Sequence, residues 1–146
     1  MFIDEKVLLK HLLDAETRTA QRAYFRAISR SQGKYKSWKL AKMGHPYSER
    51  RGGISVPYGD AGIINLQSGK FYSSWFVEKA TYIGDSIMSM VSNTAPHADD
   101  LVKGIPGLTI PRPMFDNKFK SVMHYWRIRE LTKGIKDAIQ GFNNQS

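Results

Sequence analysis

Histidine, serine and carboxylate side chains are the groups in this sequence able to do acid–base or nucleophilic chemistry. The four histidines, His11, His45, His97 and His124, stand singly, without the HxxxH or HExxH spacing that puts two metal ligands on one helix face. His97 with Asp99 and Asp100 is the densest candidate for a divalent metal. Two adjacent acids after a proline more ordinarily open a helix, where the positive end of the dipole favours them. No GxSxG elbow is present, and the acids are too scattered to nominate a catalytic carboxylate pair. Gly52-Gly53 beside Arg50-Arg51 offers amides and charge to a phosphate, yet neither GxxxxGK[ST] nor GxGxxG occurs. Cysteine is absent, which removes thiol nucleophiles, disulfides and cysteine zinc sites together. These residues predict no enzyme, no cofactor and no metal.

What the sequence does offer is positive charge. The formal net charge is +9, and residues 1–52 hold 12 basic against 5 acidic residues, leaving 10 against 8 for the rest. Arg18, Arg22, Arg26 and Arg30 recur every four residues, so they share one helix face with no acid between them. Like charges at that spacing repel, by a few tenths of a kcal/mol per pair, roughly. Such a stripe predicts a surface that meets something negative. Lys34, Tyr35, Lys36, Trp38 and Lys39 interleave rings with charge, a pattern that stacks on bases while binding phosphates. It also suits rings packed down beneath lysine stems.

The elements that position these residues follow from the punctuation of the chain. Residues 4–31 contain neither Gly nor Pro and read as one long helix, with Leu9, Leu13, Ala20, Tyr24, Ala27 and Ile28 opposite the arginines. Residues 34–43 read as a shorter basic helix, and 44–62, with five glycines and two prolines, as a loop. Residues 63–66 suit a short strand. Two β-like runs, 71–82 and 86–92, flank Gly84-Asp85, a pair suited to a tight turn. Both faces of that hairpin are partly apolar, so one is expected against the long helix and the other beneath the C-terminal helix or another subunit. Asn93-Thr94-Ala95-Pro96 makes a corner before a helical turn at 97–103, and 108–110 is a plausible edge strand. Residues 114–142 read as a long amphipathic helix, weakened locally by Gly134.

At 146 residues, with 41% hydrophobic and 12% aromatic content, a single folded domain is expected. Its parts would be a basic helical segment (1–43), a Gly/Pro loop (44–62), a small sheet (63–111) and a C-terminal helix (112–146). The fold class is α+β: a small antiparallel β-sheet packed against a long N-terminal helix, with a C-terminal helix. No run approaches the roughly 18 apolar residues of a membrane span, and the first residues carry acids where a signal peptide carries bases.

The stretch 67–119 carries a resemblance. Ser68-Gly69-Lys70-Phe71 followed by Ser74 is similar to the [ST]-G-[RK]-[LF]-x-x-S element of a tail-component family of long-tailed bacteriophages. Asn93-Thr94-Ala95-Pro96-His97-Ala98 resembles that family's N-x-x-P-Y-A corner, and Leu101-Val102-Lys103-Gly104 the run that follows it. Pro111-Arg112-Pro113-Met114-Phe115 resembles its R-P-F-[LF] element, which opens the last helix. The family is that of tail-completion or head–tail joining proteins. The resemblance implies a homo-oligomeric ring in the neck or tail of a virion, assembled in the host cytoplasm, through which the genome passes. It implies no catalytic residues. Gly69 and Gly104 would fix backbone geometry, and Pro96, Pro111 and Pro113 would be rigid corners. The expected partners are copies of the chain, neighbouring neck or tail proteins and the passing DNA, with no membrane. Arg18, Arg22, Arg26, Arg30, Arg50 and Arg51 are the residues expected to dock. The alternative expectation is a small basic nucleic-acid-binding protein using the same helix with Tyr35 and Trp38.

Overall fold

The computed structural model describes residues 4–32, 69–104 and 114–143. In order these form α1 (Glu5–Arg30), a short α2 (Lys70–Ser73), β1 (Trp75–Ile83), β2 (Ser86–Asn93), a short α3 (Ala98–Lys103) and α4 (Asn117–Asn143). The class is α+β: a two-stranded antiparallel sheet and two long helices. The expected helix at 34–43, loop at 44–62 and strands at 63–66 and 108–110 lie outside the described residues. The backbone forms two compact units, each assembled from separate stretches of chain.

One unit comprises Met1–Phe25, Phe76–Ser92 and Lys120–Ser146. At its amino end, the Asp4 carboxylate accepts the Lys6 N–H at 2.9 Å, satisfying a donor that the first turn of α1 leaves unpaired. Here α1 and α4 pack antiparallel through their smallest residues: Ala15 and Ala138 are fully buried. Gly134 explains itself at this crossing. A Cβ placed on it would lie 2.9 Å from the His11 carbonyl oxygen and 3.4 Å from the Ala15 Cβ. The glycine that looked like a weak point in α4 is a position where the two backbones approach closely. The hairpin turns at Gly84-Asp85 and lies against α1. The Ala80 N–H donates to Thr17 Oγ1 at 3.0 Å, and Ser89 Oγ donates to Glu16 Oε1 at 3.2 Å.

The other unit comprises Arg26–Trp75 and Asn93–Phe119. Its described core is a chain of rings in edge-to-face contact: Phe71 to Trp75 at 5.7 Å, Trp75 to Phe115 at 6.0 Å, Phe115 to Phe119 at 5.0 Å. Ser31 caps the end of α1 and serves this core: its Oγ donates to the Ala27 carbonyl and accepts the buried Trp75 Nε1–H, both at 2.8 Å. The expected strand beginning at residue 71 is corrected here. Gly69 takes a left-handed φ of 78° and starts the helical turn α2, so β1 begins only at Trp75. The reason is local. Ser74 Oγ donates to the Lys70 carbonyl at 2.6 Å and Ser73 N–H to the Gly69 carbonyl at 2.9 Å, giving the backbone a turn that competes with the ladder. The turn also brings Phe71 round onto Trp75, which a continuous strand would not do.

The crossing makes a direct prediction. Gly134→Ala gains helix propensity of up to about 1 kcal/mol, but its methyl meets backbone rather than a movable side chain. A net loss of about 1–3 kcal/mol in urea unfolding is expected. A variant more stable than the parent would show that the helices do not approach this closely.

Candidate interaction surfaces

The arginine stripe on α1 is the feature the sequence offered most clearly as a docking surface, and its geometry is the first question. Arg18 Nε donates to Glu130 Oε2 at 2.7 Å. Arg22 donates to Glu130 Oε1 through Nε at 3.1 Å and Nη2 at 3.0 Å, so one carboxylate on α4 accepts from both. The Glu130 side chain is 7% exposed, whereas those of Arg18 and Arg22 are 39% and 43% exposed. Burial raises the Glu130 carboxyl pKa, but the hydrogen bonds and charges of Arg18 and Arg22 outweigh it, leaving it below the ordinary value. The Arg22 guanidinium also lies 3.9 Å from the centre of the Trp126 ring.

A reciprocal pair crosses the same helices. Glu16 on α1 is buried and accepts from Arg127 of α4 at 3.0 Å and 3.1 Å. Each helix therefore presents a buried carboxylate to arginine of the other. Beside this pair opens an apolar cleft of about 480 Å³ lined by Leu9, Leu12, Tyr82, Ile87 and Leu131.

The last two arginines of the stripe lie in the other unit. Arg30 is buried there, donating to the Met114 carbonyl and lying 3.4 Å from Asp116. Burial raises the Asp116 pKa, but the Phe119 N–H bonded to it and the charge of Arg30 outweigh that effect, so the net shift is downward. The Arg26 guanidinium lies 5.7 Å from the centre of the Phe119 ring, and its Nε is buried without a hydrogen-bond partner among the described residues.

These contacts give the stripe a role inside the chain: Glu130 and Asp116 supply carboxylates to Arg18, Arg22 and Arg30, which tie α1 to α4 and its leading turn. Arg50 and Arg51 lie outside the described residues, as do Ser68, Pro111, Arg112 and Pro113. Gly69 opens α2, and Gly104, with φ 77°, follows α3. Pro96 sits in the corner where Asn93 is fastened twice: its Nδ2 donates to the Phe71 carbonyl at 2.8 Å, and its Oδ1 accepts the Ala95 N–H at 2.9 Å. The His97 ring lies 6.1 Å from Phe71. Asp99 is paired with Lys103 at 2.9 Å, and no group of three metal-ligating side chains forms among the described residues.

Toward its turn, the outer face of the hairpin is uncovered among the described residues. With Gly84-Asp85 as a two-residue connection, the pleat sets Val77, Lys79, Thr81 and Ile83 beside Met88, Met90 and Ser92, opposite the face that meets α1. Ile83, Met88 and Met90 are 59%, 55% and 47% exposed. Three adjacent large apolar side chains on one face make a contiguous patch, unlike single exposed residues. The alternation had suggested this face; Glu130 had gone unnoticed, because an acid on a distant helix leaves no mark beside the arginines it binds.

Comparison with known protein families, curated proteins and solved structures finds no match to this chain. Among the described residues no helix is long and apolar enough to cross a membrane.

Glu130 yields two expectations. Glu130→Gln should cost about 1–3 kcal/mol, below the range for a fully buried pair because both arginines can turn to water. A carboxyl held below its unfolded value of about 4.3 contributes stability that is complete above that pH and is lost as pH falls through the folded value. The parent should therefore lose stability on acidification below roughly pH 4, with a shallower fall in Glu130→Gln. Identical acid profiles for the two proteins in urea titrations would remove Glu130 from this role.

Proposed function

We propose that this chain is a structural virion protein of a tailed bacteriophage, completing the tail or joining it to the head as the subunit of a ring. The observation that carries the assembly reading is the uncovered apolar face of the hairpin, with Ile83, Met88 and Met90 turned outward. A two-stranded sheet is marginal by itself in water, and covering its second face with a copy of the chain is a direct way to complete it. The placement in the neck or tail rests on the motif resemblance across residues 67–119. Its turns at Gly69 and Asn93-Thr94-Ala95-Pro96 hold the start and end of the hairpin in one unit, through the Asn93–Phe71 bond and the Thr94 N–H to Ser74 carbonyl bond at 3.0 Å.

The mechanism is assembly by shape rather than by the arginine helix. Arg18, Arg22 and Arg30 already have intramolecular acceptors, so their attraction for a neighbour is partly offset within the chain. The same commitment weakens that helix as a reader of nucleic acid, since a phosphate contact at Arg22 or Arg30 would compete with the carboxylate or carbonyl already bound there.

Light scattering and negative-stain microscopy of the purified chain test this reading. A closed ring is expected, and Met88→Lys with Met90→Lys should dissociate it while changing subunit stability by no more than about 0.5 kcal/mol, as ordinary surface positions do. A parent that stays monomeric at high micromolar concentration, and binds duplex DNA with a salt dependence worth several phosphate contacts, would replace the assembly reading with nucleic-acid binding.

A further inference from the structure

Among the described residues, α4 carries a group of aligned cations outside the ion pairs. Arg129, Lys133 and Lys136 are all exposed, and at 100° per residue they fall within a narrow stripe of that helix. Along the axis they are separated by roughly 6 Å and then about 4.5 Å, from the 1.5 Å rise per residue. Arg129 has only the Tyr125 hydroxyl, at 3.3 Å, and the Trp126 ring, at 5.4 Å. Among the described residues none of the three meets a carboxylate; the ion pairs are those of Arg18, Arg22, Arg30, Lys103 and Arg127. The stripe lines a groove of about 640 Å³ together with Arg22, Trp126, Asp137 and Glu130, whose carboxylate is already bound by Arg18 and Arg22.

We propose that this groove docks an acidic helical segment of a protein partner, with carboxylates spaced i, i+4, i+7 set against Arg129, Lys133 and Lys136. Charge complementarity selects an anionic occupant, and the details of the groove select the class. Trp126 is engaged by the Arg22 and Arg129 guanidiniums, at 3.9 Å and 5.4 Å from its ring centre, so it is not a free platform for stacking bases. Asp137 places a negative charge in the wall. A nucleic-acid duplex, with a phosphate charge about every 1.7 Å of axis, presents charge there without a break. A helix can place a neutral residue opposite Asp137 and carboxylates opposite the cations, because its own side chains recur with the spacing of the stripe. The inference stands apart from the assembly reading, since it uses a different face and does not require a ring.

Fluorescence anisotropy on the full chain tests it, with a labelled helical peptide of about 14 residues (four turns) carrying glutamates at i, i+4, i+7. A matched glutamine peptide and a short DNA duplex serve as comparisons. The glutamate peptide is expected to bind and the glutamine peptide to bind at least about tenfold more weakly, equivalent to about 1.4 kcal/mol. Lys133→Glu with Lys136→Glu should abolish binding of the glutamate peptide and confer binding of a lysine counterpart, with oligomeric state unchanged. Because both positions are exposed, circular dichroism should match the parent; if the reversed variant fails to fold, Lys133→Gln with Lys136→Gln provides the same comparison with a smaller loss. Failure of the glutamate peptide to bind, or equal binding of the glutamate and glutamine peptides, overturns the proposal. Displacement of the glutamate peptide by duplex at lower concentration also overturns it, and assigns the groove to nucleic acid.

Discussion

Glu130 is the constraint on which the described helix pair depends. A carboxylate with 7% of its side chain exposed cannot remain ionised without strong partners, and it has them in Arg18 and Arg22. Those bonds require α1 and α4 to face each other in one register. The same register puts Glu16 within reach of Arg127 and Gly134 beneath the His11 carbonyl. A shift of one residue along either helix would break both ion pairs and drive a side chain into backbone at the crossing. Packing and charge specify the same arrangement, which makes the pairing single-valued rather than merely sticky.

The hairpin inherits its position from that arrangement. Glu16 is held by Arg127 and in turn accepts from Ser89, while Thr17 accepts an N–H of β1 that the two-stranded ladder leaves unpaired. Polar fasteners of this kind fix which face of the hairpin meets α1 and leave Ile83, Met88 and Met90 pointing away. In the other unit the organising device differs. Rings from α2, β1 and the start of α4 pack edge to face, and Ser31 and Arg30 satisfy the polar groups around them. Both units use the side chains of α1 that a reading of hydropathy alone would assign to solvent.

Charge placement has a functional consequence. A chain with a formal charge of +9 was expected to carry its attraction for partners on the arginine helix. Arg18 and Arg22 share the one Glu130 carboxylate and Arg30 is paired with Asp116, whereas Arg129, Lys133 and Lys136 stand in line on α4 without a carboxylate partner among the described residues. That stripe was legible as a basic i, i+4, i+7 pattern within residues 129–136. It was overlooked because the carboxyl-terminal two thirds of the chain is nearly neutral in total, and a sum over residues conceals a charge segregated to one face.

The sequence by itself determined the elements: the long helices from uninterrupted periodicity, the hairpin from alternation about Gly84-Asp85, and the lack of a recognisable catalytic or metal-ligating pattern from residue types and spacing. These depend on neighbours a few positions away, so they can be read locally. It misplaced the start of β1, because Phe71 and Trp75 share a strand's period and the competing serine bonds to Lys70 weigh little until Phe71 has rings to pack on. Only the tertiary structure decided which of the described charges are paired across the helices. Whether an arginine on α1 is a docking group or half of an internal ion pair depends on Glu130, 108 residues from Arg22. Coulomb attraction and desolvation act through space, and no periodicity in the chain records what lies across a helix crossing.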